Sequence, residues 1–141
     1  MTMIADGKPV ALSHVIIKAE FELDEHGRPI MAGGRATRTR AGACGRNHYR
    51  IRLSVEGVPD DAHAVTYNLH ESYRDPVREV LDDPNFPLEI TAYGDYEVVV
   101  KVRRKRFQET FRASLSSALR ATYGRDPNRR ISAALADIQG S

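Results

Sequence analysis

Between positions 14 and 102 apolar and polar residues alternate in four separate runs, a period of two that constrains the fold more than any other feature. Val15, Ile17, Ala19, Phe21 and Leu23 form the first run, and Tyr49, Ile51, Leu53 and Val55 the second. Val65, Tyr67 and Leu69 follow, then Tyr96, Val98, Val100 and Val102. Successive side chains on a strand point to opposite faces, so each run predicts a strand buried on one face and solvated on the other. Turn residues separate the runs: Gly27-Arg28-Pro29, Gly33-Gly34, Gly57-Val58-Pro59-Asp60-Asp61 and Asp82-Asp83-Pro84-Asn85. About seven short strands at this spacing predict an all-β, two-sheet sandwich of immunoglobulin-like topology.

After Arg106 the pattern changes. Phe107, Phe111, Leu115, Leu119 and Tyr123 recur every fourth residue, which predicts a helix from Phe107 to Tyr123 ending at Gly124. Asp126-Pro127 reads as an N-cap and first-turn proline for a second helix through Ile131, Leu135 and Ile138. The expected organisation is therefore a flexible segment over 1–12, a sandwich over 13–103 and a basic helical hairpin over 104–141. The last 41 residues hold ten Lys/Arg and three Asp/Glu, against eleven and sixteen before them, although the whole chain carries only +2. A separate role for the tail, or a solvated basic helix face, accounts equally for that asymmetry.

The 141 residues suffice for one core. No apolar run approaches a membrane span, and the N-terminal residues lack a signal-peptide pattern. The single cysteine, Cys44, has no internal partner for a disulfide, and a cytoplasmic location is expected.

Catalytic and metal chemistry find little support. His70 and Ser72 stand two apart, but no G-x-S-x-G elbow accompanies them. His14, His26, His48, His63 and His70 show no metal-ligand spacing, and no phosphate-cradling glycine loop is present. Neither a metal nor a cofactor is expected, and the chain reads as non-enzymatic. The cluster from Lys101 to Arg106 would attract phosphates, but no aromatic side chains interleave with it, which argues against a nucleic-acid interface.

Two loops remain. The segment 67-YNLHESYRDPVREV-80 closes a strand-like run on His70, then places Ser72 and Tyr73 before a proline-bearing turn. The segment 88-LEITAYGDYEVVV-100 places Tyr93 and Gly94 between two strand-like runs. Spacing alone leaves two readings open. Each tyrosine packs at a strand end, or the two rings wall a slot for a flat, neutral, polarisable group.

The blocks V-T-Y-N-L-H-E-S-Y-R-D-P-V-R at 65–78 and T-A-Y-G-D-Y-E-V at 91–98 together resemble the YEATS domain family, in its prokaryotic branch. The first is similar to that family's strand ending in L-H-x-S-[FY], and the second to its G-[WY]-x-x-F-x-[ILV] segment. The resemblance covers residues 13–103. It implies an immunoglobulin-like sandwich that binds acylated lysine, such as acetyl- or crotonyl-lysine, on a protein partner. The aromatic walls then fall on Tyr73 and Tyr93, the serine that bonds the acyl amide on Ser72, and its buttressing histidine on His70. Backbone amides at Tyr93, Gly94 and Asp95 would take the amide oxygen. The chain departs from the pattern twice: Ala92 stands where glycine is usual, and 43-ACGRNHY-49 lacks the aromatic that eukaryotic members place before the next strand. The alternative is an assembly module that self-associates or builds a complex through helices over 107–138, without acyl-lysine binding.

Overall fold

The computed structural model describes residues 2–5, 8–11, 14–31 and 48–140. The Gly33-Gly34 turn, Cys44 and most of the 43–49 stretch lie outside the described residues.

The first twelve residues, expected as a flexible segment, contain a two-stranded antiparallel pair, β1 (Thr2–Ala5) with β2 (Lys8–Ala11). The body is an immunoglobulin-like β-sandwich with a C-terminal helical extension. One antiparallel sheet has the order β3 (Ile16–Phe21), β4 (Tyr49–Glu56), β7 (Leu88–Ala92). The other has the order β6 (Val77–Leu81), β5 (Ala64–Asn68), β8 (Glu97–Arg103), β9 (Gln108–Ser114).

Register follows from the alternation. Opposite residues in neighbouring strands share a face, so Ala19 meets Leu53 and Ile51 meets Ile90 on the inner side of the first sheet. Across the second sheet, Val65 meets Val102, and Tyr67 meets Val100, which in turn meets Phe111. Tyr49, Ile51, Leu53, Val65, Leu69, Val98 and Val100 are all buried, as the period of two predicts. A buried phenol needs a hydrogen-bond partner, and Tyr67 finds one by donating to the Phe86 carbonyl at 2.5 Å.

The helix expected from Phe107 begins only at Leu115. Gln108–Ser114 is strand β9, paired along its length with β8, so the second sheet runs on to Ser114. The physical reason is an ambiguity of spacing. Residues four apart share a face on a strand as well as on a helix, so Phe107, Phe111 and Leu115 fit both. Pairing with the β8 edge settles the competition, and Glu109, Phe111 and Ala113 become the less exposed set. Phe107 lies in the hairpin turn, 40% exposed, with the Arg104 guanidinium 4.6 Å from its ring centroid.

Helix α1 spans Leu115–Tyr123, capped by the Ser114 hydroxyl, which accepts from Ser117 N–H at 3.1 Å. Gly124 ends it at φ 73°, a left-handed conformation that glycine adopts without a Cβ clash. Helix α2 spans Arg129–Gln139, and its N-cap is Asn128 rather than Asp126. The Asn128 side chain accepts from Ile131 N–H at 2.9 Å, which places Pro127 just ahead of the helix instead of in its first turn. The apolar stripes of both helices, Leu115, Ala118 and Leu119 with Ile131, Ala134, Leu135 and Ile138, are buried within this chain.

α1 also covers an open sheet edge. β3 ends its sheet, and an edge strand offers unpaired backbone groups. Thr122 donates its hydroxyl to Ala19 O at 2.6 Å, and Phe21 N–H donates to the Tyr123 hydroxyl at 2.7 Å. The Tyr49 hydroxyl donates to the Asp137 carboxylate, which ties α2 to β4. Among the described residues, no helix is long and apolar enough to cross a membrane.

Candidate functional site

Antiparallel connectivity brings the β5–β6 loop, the β7–β8 loop and the approach to β4 to one end of the sandwich. There they line a cleft of about 390 Å³. Its walls hold all six residues expected from the sequence: His70, Ser72, Tyr73, Tyr93, Gly94 and Asp95. His48, Arg74, Thr91, Ala92 and Tyr96 complete them.

The β5–β6 loop is fixed by its own polar groups. Ser72 N–H donates to His70 Nδ1 at 3.1 Å, and the Ser72 hydroxyl lies 2.8 Å from the same nitrogen. With a backbone donor on it, Nδ1 acts as an acceptor, which assigns the ring proton to Nε2. The Ser72 hydroxyl lies against the same nitrogen, and its oxygen retains a lone pair that can accept an N–H. Tyr73 N–H closes the turn on the His70 carbonyl at 3.1 Å.

Tyr73 is less extended into solvent than its loop position suggests. It is half-buried, and its hydroxyl donates to Thr91 O, on β7, at 2.6 Å. It accepts in turn from the Tyr96 hydroxyl at 3.2 Å. The Tyr96 ring stands edge-on to both Tyr73 (centroids 5.7 Å, 62°) and His70 (5.9 Å, 61°). The Arg78 guanidinium carbon lies 5.6 Å from the Tyr73 centroid. Burial pushes both phenols, Tyr96 the further, above the ordinary tyrosine value. They remain neutral hydrogen-bond donors throughout the physiological range.

Tyr93 is the projecting ring, 40% exposed. Its face tilts by 40° against His48, with centroids 4.9 Å apart. The Asp95 carboxylate is occupied behind the cleft, where it accepts from Ser116 N–H at 2.9 Å and from the Ser116 hydroxyl at 2.7 Å.

Sequence reasoning missed Tyr96, His48 and Arg74 as cleft residues. Tyr96 carries a detectable signal, because it stands three residues after Tyr93 in A-Y-G-D-Y, where the family pattern has phenylalanine. His48 precedes β4 directly, within the stretch that lacks the third aromatic. Arg74 is an exposed loop residue with no distinguishing spacing.

The end loops of the β-sandwich thus enclose a small cleft walled by aromatic rings, with the Ser72 hydroxyl and the backbone of Gly94 at its sides. Residues 49–114, which carry both loop blocks, match the prokaryotic YEATS domain, so the resemblance read from those blocks stands. No curated protein matches the chain. Among solved structures it is similar to a Yaf9 YEATS domain described as recognising an H3K122suc peptide. There the identity is 15%, with 89% of this chain and 96% of that chain covered and a TM-score of 0.47. It is also similar to the Yaf9 YEATS domain bound to H3K27ac, at 16% identity, coverage of 75% and 76%, and a TM-score of 0.44. A third is the yeast AF-9 homolog protein Yaf9, at 19% identity, coverage of 88% and 91%, and a TM-score of 0.46.

Proposed function

We propose that this chain is a non-enzymatic recognition module whose cleft takes the acylated side chain of a lysine on a protein partner. One observation carries the reading: Tyr73 and Tyr93, from different loops, line the same cleft as a Ser72 oxygen held by His70. Acylation converts an ammonium ion into a neutral, flat amide. It thereby removes the cost of desolvating an unpaired charge between aromatic rings. The amide N–H would donate to Ser72 Oγ, and its carbonyl would accept from backbone N–H groups around Gly94. A cation–π cage for methylated lysine also uses aromatic walls, but it gives the serine acceptor no role. With so few groups engaged, binding is expected at about −5 to −7 kcal/mol.

The alternative, assembly through the C-terminal helices, has less apolar surface to draw on than the sequence alone suggests, although Phe107 stays 40% exposed. Leu115, Leu119, Ile131, Leu135 and Ile138, the stripe that would drive association, are buried within the chain.

Titration of acetyl-lysine, crotonyl-lysine and unmodified-lysine peptides, followed by the backbone amide resonances of 70–74 and 92–96, tests the proposal. Acylated peptides alone should shift those resonances. Tyr93→Ala should abolish the shifts while leaving the fold intact, because its ring contributes little core. Equal shifts from acylated and unmodified peptides would overturn it.

A further inference from the structure

The β7–β8 loop carries Tyr93 and Gly94, yet it is not held by the sandwich alone. Tyr96 O accepts from Leu115 N–H at 2.9 Å, and the Asp95 carboxylate takes both the N–H and the hydroxyl of Ser116. The first turn of α1 contains no acidic residue of its own. One first-turn N–H, that of Ser116, and the positive end of the dipole therefore find a carboxylate on the neighbouring loop. Ser116 is buried, 8% exposed, and does not line the cleft. Its hydrogen bonds are thus directed to the loop and away from any ligand.

We infer that Ser116 is a positioning residue of the cleft: through Asp95, the N-terminus of α1 holds the Tyr93–Tyr96 loop in its ligand-ready geometry. This rests on the proposed acyl-lysine reading for its effect on affinity, but not for its effect on the loop. A loop tip with few buried contacts samples many conformations, and ordering it on binding subtracts from affinity. Two charge-assisted bonds to a packed helix restrict that sampling before a ligand arrives. Asp95 accordingly acts from behind the wall, through its side chain, in addition to any backbone N–H it presents. The coupling is reciprocal, because a ligand that orders the loop must also stabilise the Ser116 bonds.

The test compares Ser116→Ala with Ser114→Ala. The second removes the N-cap bond of the same helix without touching the loop, so it lowers stability while sparing the strut. In the ligand-free protein, Ser116→Ala should shift the backbone amide resonances of Tyr93, Gly94 and Tyr96, and Ser114→Ala should leave them in place. Ser116→Thr, which retains the hydroxyl, should restore them. With a crotonyl-lysine peptide, Ser116→Ala should weaken binding about three- to tenfold, the scale of one hydrogen bond. Ser114→Ala should stay within about twofold, and the peptide should slow exchange of the Ser116 amide proton. Unmoved loop resonances in Ser116→Ala, or equal effects from both serine variants, would overturn the inference. Moved resonances with no binding by the unsubstituted protein would uphold the strut and overturn the acyl-lysine reading instead.

Discussion

Tyr96 joins the two halves of the cleft, since its ring touches His70 and its hydroxyl donates to that of Tyr73. Tyr73 passes the chain on to the Thr91 carbonyl, so the position of the Tyr73 ring depends in part on the Tyr96 hydroxyl. Tyr96→Phe keeps the ring and removes the donor. It should cost about 0.5–1.5 kcal/mol of stability, the usual net contribution of one neutral hydrogen bond. A double-mutant cycle with Tyr73→Phe, read by urea unfolding, should give a coupling of about 0.5 kcal/mol or more. Strictly additive effects would show that the two hydroxyls act independently. The contact between His70 and Ser72 was legible in the sequence because L-H-E-S is a local motif whose geometry closes within three residues. The placement of Tyr96 and His48 at the cleft was not, because it depends on which loops the sheets bring together. The engagement of Asp95 by Ser116 spans 21 positions and leaves no local signature.

Three non-glycine residues in the turn between β6 and β7 have positive φ: Asp82 at 42°, Asn85 at 60° and Phe86 at 46°. Left-handed backbone costs an L-residue on the order of 1–2 kcal/mol. The compensation is visible nearby. The Phe86 side chain is buried, its carbonyl accepts from Tyr67, and Val55 N–H donates to Asn85 O at 3.0 Å. Asn85→Gly should be neutral or slightly stabilising. Asn85→Ala should fall about 1 kcal/mol below the glycine variant, measured by chemical denaturation. Equal stability of the two would show that the turn relaxes its conformation when substituted. At this scale the strands β3, β4, β5 and β8 were readable from alternation alone. β9 was not, because its apolar spacing of four satisfies a strand and a helix equally, and only the free edge of β8 decides between them.

Among the described residues, one hydrophobic core joins both sheets of the sandwich to both helices. Leu53 is fully buried between β3 and β7, and Leu53→Ala should cost about 2–5 kcal/mol through lost burial and the cavity left behind. A loss below about 0.5 kcal/mol in equilibrium unfolding would contradict the register. Alkaline pH offers a second measurement. Burial raises the phenols of Tyr67 and Tyr96 above their ordinary value of 10.0, so the folded state holds them neutral where the unfolded chain would ionise. The stability this confers is fully present below about pH 10 and declines as pH rises beyond it. The urea midpoint should therefore hold steady from neutral pH to about 9 and fall steeply above about 10.5. A Tyr67→Phe, Tyr96→Phe double variant should show a shallower fall.

β8 begins next to Tyr96 at the cleft and ends at Arg103, beside the turn that carries Arg104, Lys105 and Arg106. Seven extended residues span roughly 20 Å, whereas electric fields in physiological salt decay over about 8 Å. The cationic end is therefore electrically remote from the cleft. Arg103 is paired there with Glu79, and Arg104 with Asp61 and Glu109, so salt that loosens these pairs should leave the geometry of the cleft unchanged.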